Sequence, residues 1–236
     1  MRLDEYLVKS NFIDSRNKAK ELIKNSKIKV NGKIITKPSF DVNEAKIEIL
    51  QKIYVSRAAW KLKNYLEKYN IDFNEKSVID VGSSTGGFSE VALEKGAKRI
   101  VCVDVGNNQL HPKIRKNKKV EVFENTDIRN FESENKFDML ISDVSFISLV
   151  KIFDKINKLA KAEMILLFKP QFEVGKEAKR DKKGVVIDTE AIKKAQINFE
   201  NKIKEYNWEI LKKEQSSLKG KEGNIEYIYH LRRKID

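Results

Sequence analysis

The chain has 236 residues with 48 Lys or Arg and 35 Asp or Glu, which gives a net charge of +13. A single cysteine excludes an internal disulfide and a thiolate zinc site, and with only two histidines we expect no metal centre. The charge balance favours a polyanionic partner such as nucleic acid, although a lysine-rich proteome would also produce a basic surface.

Membrane and export signals are weak in this sequence. The longest apolar run, Met164 to Phe168, is far shorter than the ~20 residues of a membrane-spanning helix. The first residues lack the apolar core of a signal peptide. We therefore expect a soluble cytoplasmic protein with no membrane partner. Since the sequence shows no extended apolar surface, we also expect a monomer.

The first 48 residues predict a small α+β module. Leu3 and Leu7 fall at helical spacing, and Asp14 or Ser15 can cap a second helix. Asn31-Gly32 between two β-type runs predicts a hairpin. Basic residues on the second helix could form an edge for a phosphate backbone, although a solvated helix face is the more ordinary interpretation.

From Ser77 onward, predicted strands alternate with helices, beginning with a strand at Ser77 and a helix over about 87–95. This alternation predicts an α/β fold, a Rossmann-like sheet with helices on both faces. Ligands of such sheets bind at the carboxyl ends of the strands, and nearly every predicted strand here ends at a charged residue. The later strands are predicted over 99–103, 120–123, 139–141, 165–168, 209–212 and 225–231.

The most informative motif runs from Ser77 to Ser89, a β-branched strand that reaches Asp80, a glycine-rich turn and a helix. A dinucleotide site would need G-x-G-x-x-G, so that phosphate meets a helix N-terminus. Here the pattern is D-x-G-x-x-x-G-G, and a carboxylate repels phosphate but accepts hydrogen bonds from ammonium. S-adenosylmethionine (SAM) has an ammonium group and no phosphate. The motif thus favours a SAM-dependent methyltransferase over an NAD-dependent oxidoreductase.

The motifs together resemble a known family. Residues 1–48 resemble an S4 RNA-binding domain, on Arg2-Leu3-Asp4, Ser15-Arg16 and the segment 28–32. The remainder resembles the FtsJ/RrmJ-like 2′-O-ribose methyltransferases. The combination resembles the TlyA (haemolysin A) family of rRNA cytidine 2′-O-methyltransferases, and the motifs that carry this resemblance lie at 54–62, 143–148 and 169–173. We expect an S4 domain over 1–48, a linker over 49–60 and a methyltransferase domain over 61–236.

The resemblance implies a catalytic tetrad, and it implies SAM as the cofactor, with Asp104 at the ribose hydroxyls and Asp127 at the adenine amino group. Some members of the family carry short terminal extensions that this sequence does not show. In this respect the sequence resembles the subgroup that acts on 23S rRNA alone. The implied tetrad is Lys61, Asp143, Lys169 and Glu226. The implied cofactor residues are Asp80, Gly82, Ser83, Ser84, Thr85, Gly86, Gly87, Phe88, Asp104, Val105, Asp127, Ile128 and Asp143. The residues favoured for RNA binding are Arg2, Arg16, Lys18, Lys20 and Arg57.

The implied reaction requires a base, because a ribose hydroxyl is a poor nucleophile. Lys169 is the candidate, and burial, Lys61 and a positive sulfonium would favour its neutral amine. Lys61 and Lys169 could exchange these roles. Asp143 would hold the ammonium groups, and Glu226 would orient the hydroxyl or Lys61.

Each member of this tetrad taken alone is most simply a solvated or strand-end polar residue. Phe146 and Phe172 could line a target-nucleotide pocket or pack in the core. A non-catalytic rRNA-binding or assembly factor is the alternative function, which an intact tetrad disfavours. A pore-forming haemolysin lacks support from any membrane segment.

Overall fold

The computed structural model describes residues 1–234, which fall into two compact units that divide between Ile53 and Tyr54. The first unit has two helices followed by a three-stranded antiparallel sheet in the order β2-β1-β3. Ser15 begins the second helix, because its hydroxyl accepts a hydrogen bond from the Lys18 N–H group. The elements are α1 (Leu3–Lys9), α2 (Arg16–Lys24), β1 (Ile28–Val30), β2 (Lys33–Ile34) and β3 (Ile47–Ile49).

The segment between the units differs from the predicted linker over 49–60. Leu50 still donates its N–H group to Lys27 in the first unit. Tyr54 is already buried in the second unit, where its hydroxyl donates to Glu94 at 2.6 Å. The Val55 N–H group donates to Glu90 at 2.7 Å. Residues 54–60 therefore belong to the second unit, because two carboxylates of one helix take donors from this segment.

The second unit is a seven-stranded sheet in the order β6-β5-β4-β7-β8-β10-β9. The strands β4 to β8 are parallel, and β10 is antiparallel to both β8 and β9. The strands are β4 (Ser77–Val81), β5 (Arg99–Val103), β6 (Val120–Phe123), β7 (Phe137–Ser142), β8 (Ala160–Phe168), β9 (Trp208–Gln215) and β10 (Tyr227–Arg233). The helices are α3 (Ala58–Tyr69), α4 (Gly87–Glu94), α5 (Pro112–Arg115), α6 (Leu149–Leu159), α7 (Pro170–Glu173) and α8 (Thr189–Glu205).

Both faces of this sheet are buried, since alternate strand residues enter two separate cores. Val78 packs with α3 and α4 on one face, whereas Ile79 packs with α6 and α8 on the other. This arrangement explains the continuous apolar runs of the central strands. The predicted α/β sheet with helices on both faces, preceded by a small α+β module, is confirmed.

Several strand boundaries differ from the predictions. β8 begins at Ala160 rather than 165, because its first four residues lack the continuous apolar run that marks its buried part, and Lys161 and Ala162 are exposed. β10 begins at Tyr227, so Glu226 precedes the strand instead of lying within it. Asp104, Asp143 and Lys169 directly follow three parallel strands at the carboxyl edge of the sheet. None of the helices within residues 1–234 has the length and apolar character needed to cross a membrane.

Candidate active site

The glycine-rich turn after β4 packs closely against its neighbours. Gly82 has a φ of +79°, and a Cβ there would lie 2.9 Å from Val144 Cγ1. A Cβ on Gly87, the first residue of α4, would lie 2.1 Å from Ser56 Oγ. Both positions require glycine because a Cβ has no space there, and Gly82 requires it also for its positive φ. The turn therefore lies directly against the end of β7 and the segment that precedes α3.

A small cavity of about 170 Å³ opens beside this turn, and Asp80, Ser56 and Lys169 line it. Asp80 is fully buried, and its Oδ2 accepts a hydrogen bond from Ser89 at 2.5 Å. Asp80 Oδ1 and Ser56 Oγ have no hydrogen-bond partner among residues 1–234. Burial raises the pKa of Asp80 to about 7. The cavity thus offers an acceptor and a hydroxyl to the ammonium and carboxylate groups of an amino acid.

A larger cavity of about 500 Å³ adjoins the small one, since Gly82, Ser84, Asp143 and Ser145 line both. Its other walls include apolar side chains of β4 and β5 and the carboxylate of Asp104. That carboxylate accepts hydrogen bonds from two backbone N–H groups, those of Ser84 and Gly106, each at 2.7 Å. Two aspartates beside apolar walls can hold a hydroxylated sugar and a flat ring.

Asp127 lines the larger cavity but also makes local contacts. It caps a short 3₁₀ turn, and its carboxylate accepts hydrogen bonds from the Arg129 guanidinium. These hydrogen bonds hold the pKa of Asp127 below its usual value. Arg129 therefore competes for the carboxylate that the sequence predicts at the adenine amino group.

The predicted cofactor residues converge at these two cavities. All of them line one cavity or both except Gly86, whose φ of +88° instead sets the entry into α4. The residues present thus fit SAM, with its amino-acid moiety in the small cavity and its adenosine in the larger one. Ser56 and Ser145 also line the cavities, although neither is among the site residues predicted from the sequence.

The four predicted catalytic residues form one buried chain of alternating charge. Glu226 Oε2 lies 2.5 Å from Lys61 Nζ, and Lys61 Nζ lies 3.9 Å from Asp143 Oδ2. Asp143 Oδ1 lies 2.7 Å from Lys169 Nζ. No side chain of the four is more than 14% exposed. Two carboxylates and two ammonium groups balance in charge, which lowers the cost of burying them.

The two lysines differ in what they face. Lys169 Nζ donates to Ser145 Oγ at 2.8 Å and to the Asp143 backbone oxygen at 3.2 Å. Lys169 and Asp143 line the small cavity, whereas the residues that line it do not include Lys61. Lys61 is held instead by Glu226. Lys169 is therefore the lysine positioned beside the cofactor residues.

Phe146 stands at the larger cavity with its side chain in solvent. It is 91% exposed, and its ring lies 5.1 Å from that of Phe172. Its φ of +65° is rare for a bulky residue and costs free energy. The core-packing interpretation of Phe146 is therefore wrong, and the strained backbone holds an exposed aromatic ring at the edge of the larger cavity.

The predicted RNA-binding residues lie in both units. Arg2 and Arg16 form ion pairs with the buried Asp4 at 3.0 and 3.1 Å, and Lys20 lies 3.9 Å from it. Burial raises the pKa of Asp4, but hydrogen bonds from Arg2 and Arg16 outweigh it, so the pKa lies below its usual value. Lys18 lies 3.6 Å from Asp14. Arg57 belongs to the second unit, where it is exposed just before α3.

Comparison with known protein families identifies both units. A model of FtsJ-like methyltransferases matches residues 54–233. The chain belongs to the FtsJ-like methyltransferase family. A model of the S4 domain matches residues 1–46, as the N-terminal motifs predict. The chain is therefore a methyltransferase that carries an S4 domain, and the predicted family membership is confirmed.

This FtsJ-like methyltransferase has relatives of the same overall length. It is 48% identical to the 23S rRNA (cytidine-2′-O)-methyltransferase TlyA of Campylobacter jejuni, over 98% of each chain. It is 34% identical to the 16S/23S rRNA (cytidine-2′-O)-methyltransferase TlyA of Mycobacterium tuberculosis, over 100% of this chain and 91% of that protein. A solved structure of a hemolysin candidate from Streptococcus thermophilus superposes with a TM-score of 0.74 at 31% identity, over 99% of this chain and 88% of the other.

Proposed function

We propose that this enzyme transfers a methyl group from SAM to the ribose 2′-hydroxyl of a cytidine in 23S rRNA. The observation that carries the proposal is the position of Lys169, at a wall of the cavity formed by the glycine-rich turn and Asp80. There a single basic side chain adjoins both the residues suited to SAM and the paired Asp143. The 2′-O-cytidine activity named for relatives at 48% and 34% identity supports the same chemistry.

SAM, when bound, supplies a methyl group already activated by a positive sulfonium. The remaining task of the protein is to orient the hydroxyl and to remove its proton as the new bond forms. Lys169 Nζ, as the neutral amine, accepts that proton. The ammonium that results is stabilised by Asp143 Oδ1 at 2.7 Å and by Ser145 Oγ at 2.8 Å. Positive charge therefore develops beside groups already placed to receive it.

Lys61 and Glu226 position Asp143 in this scheme. Lys61 Nζ lies 3.9 Å from Oδ2, the second carboxylate oxygen of Asp143, and its ion pair with Glu226 at 2.5 Å holds Lys61 in place. Because the pair is buried, its electrostatic attraction is less screened than at a surface. We propose that the pair keeps the Asp143 carboxylate turned toward Lys169, and that the S4 domain over residues 1–46 contributes RNA affinity through Arg2, Arg16 and Lys20.

Phe146 is positioned to contact the target nucleotide. An exposed aromatic ring can stack on a base that has left its helix, and such splaying exposes a 2′-hydroxyl. We propose that Phe146 and Phe172 together form that stacking surface. The high identity to the relative named for 23S rRNA, over 98% of both chains, supports 23S rRNA as the substrate.

The test supplies purified protein with methyl-labelled SAM and, separately, 16S rRNA, 23S rRNA and the two ribosomal subunits. Label incorporated into 23S rRNA or the large subunit supports the proposal, and label in both rRNAs indicates the broader specificity. Binding of SAM and rRNA without any methyl transfer would contradict it and would favour a non-catalytic assembly factor.

A further inference from the structure

A third cavity of about 540 Å³ lies in the second unit and shares no residue with the two cavities suited to SAM. Its volume is within the range of small-ligand sites. Pro170, which lines it, follows the catalytic Lys169 directly, and the lining residues Ile225 and Tyr227 flank Glu226. The cavity therefore borders the same backbone segments that carry Lys169 and Glu226, on the side of the sheet that α8 covers.

One face of α8 forms a wall of this third cavity. Thr189, Ile192, Lys193 and Gln196 follow helical spacing and all line it. Gln196 is only 9% exposed, and its side-chain nitrogen Nε2 has no hydrogen-bond partner among residues 1–234. A buried donor without a partner costs stability. The donor is suited to an acceptor that a ligand brings.

The remaining walls indicate what that ligand is. Val186 and Ile225 supply apolar surface, and Tyr227 supplies an aromatic side chain. Lys193 and Lys219, also lining residues, are exposed to solvent. Apolar walls, one buried amide donor and cations in solvent suit a flat heterocycle that carries a phosphate. Single-stranded RNA bases are recognised by this combination of side chains.

We propose that the third cavity binds a nucleobase of the substrate RNA that lies close to the target nucleotide. Gln196 donates its hydrogen bond to a carbonyl or ring nitrogen of that base, and Lys193 meets the attached phosphate. The inference rests on the proposed function in requiring an RNA substrate. It adds a second base-binding site, so that the enzyme selects its cytidine by a neighbouring nucleotide as well as by the target itself.

The test measures equilibrium binding of unmodified 23S rRNA transcript to the full chain, without SAM, across a series of salt concentrations. Gln196→Met keeps the side-chain length but removes the donor, and we expect affinity to fall about five- to tenfold. Its thermal midpoint should be unchanged or higher, because the unpaired buried donor is gone. Lys193→Ala should reduce the slope of log affinity against log salt by about one. Lys194→Ala is the matched control, an exposed lysine of the same helix that does not line the cavity, and should leave the slope unchanged.

Ultraviolet cross-linking of the wild-type complex should join RNA to a peptide containing Tyr227 or the segment 185–196. Wild-type affinity for Gln196→Met and Lys193→Ala would overturn the inference, as would a wild-type chain that does not bind the transcript. These readouts do not depend on methyl transfer. Binding losses at the third cavity in a protein that transfers no methyl group would therefore support this inference while contradicting the proposed function.

Discussion

Lys61 and Glu226 are 165 positions apart in the chain, yet Lys61 Nζ lies 2.5 Å from Glu226 Oε2 in a buried ion pair. The pair joins α3, near the start of the second unit, to the segment just before β10 near its end. Lys61 Nζ also lies 3.9 Å from Asp143 Oδ2. The ion pair therefore links α3 and the segment before β10 to the carboxylate beside Lys169. Folding of the whole second unit is therefore needed to assemble the site.

Replacing Glu226 should show what this pair does. Glu226→Gln keeps the shape of the side chain but removes the charge that anchors Lys61. We expect turnover to fall about 10- to 100-fold through misplacement of Asp143, with SAM affinity within about twofold of wild type. The free energy of unfolding should fall by about 1–3 kcal/mol. Methyl-transfer kinetics, calorimetric SAM binding and denaturant titration measure the three quantities. Glu222→Gln, at an exposed position of the same segment between β9 and β10, is the control. Wild-type turnover in Glu226→Gln would remove Glu226 from the mechanism.

If Asp80 contacts the ammonium group of SAM as proposed, its burial should make SAM binding depend on pH. The pKa of Asp80 is raised to about 7 by burial, so below that pH the carboxyl is protonated and cannot pair with an ammonium group. We expect SAM affinity to rise by up to about tenfold per pH unit as pH approaches 7 from below, and then to level off. Calorimetry between about pH 5.5 and 7.5 measures this slope. Affinity that does not change over this range would show that Asp80 does not contact the ammonium group.

The raised pKa of Asp80 also affects the stability of the protein without SAM. The contribution of Asp80 to the free energy of unfolding should be more favourable at acid pH than at neutral pH. A carboxyl whose folded-state pKa is raised stabilises the fold fully below its unfolded pKa near ~4, and that contribution is lost as pH rises through about 7. Asp80→Asn removes the ionisation, and its difference in unfolding free energy from wild type should therefore grow in favour of the variant between these two pH values. A constant difference would contradict the assigned shift.

Gly87 allows Ser56 to approach the glycine-rich turn. A Cβ at position 87 would lie 2.1 Å from Ser56 Oγ and 3.0 Å from the Ala59 backbone nitrogen. Gly87→Ala should therefore push the segment before α3 outward, lower SAM affinity by at least about tenfold and destabilise the unit by about 1–3 kcal/mol. Gly175→Ala, whose Cβ would meet only the flexible end of the Glu177 side chain, is the control. Equal SAM affinities in the two variants would show that Ser56 does not help to form the site.

In the S4 domain, Asp4 holds two arginines that are proposed to contact RNA. Asp4→Asn should weaken these ion pairs and destabilise this domain by about 1–3 kcal/mol, and its affinity for 23S rRNA should fall because the arginines lose their fixed positions. Hydrogen exchange of residues 1–53 and filter binding measure the two effects. Asp41→Asn, which affects an exposed pair with the N-terminus, should change neither. Unchanged exchange in Asp4→Asn would show that the cluster is not structural.

The sequence predicted much of the fold because local patterns specify it. Residues 99–103 and 120–123 are strands with the predicted bounds, and each is followed at once by an acidic residue. Asn31-Gly32 forms the predicted turn because few residue pairs accept two positive φ angles. The contacts of residues 54 and 55 with the second unit could not be predicted, because they depend on Glu90 and Glu94, which are distant in sequence.

Only part of the candidate site could be predicted from the sequence, because the other part again depends on contacts between residues that are distant in the chain. Asp80, Asp143 and Lys169 could be found from strand ends, because parallel strands bring their carboxyl ends to one edge. Ser56 could not be found this way, since its hydroxyl reaches the cavity only because residue 87 has no side chain. Ser145 joins Lys169 through a contact between loops after different strands. Such contacts leave no periodic signal in a single sequence.

The most direct test of the central claim is to identify the atom that receives the methyl group. 23S rRNA incubated with the enzyme and SAM would be digested to nucleosides and analysed by mass spectrometry, with Lys169→Met as the variant and exposed Lys176→Met as its control. We expect 2′-O-methylcytidine with wild type and Lys176→Met. With Lys169→Met we expect the rate to decrease by about 10²- to 10⁴-fold while SAM still binds. Methyl groups on a base, or 2′-O-methylcytidine formed at the wild-type rate by Lys169→Met, would contradict the central claim.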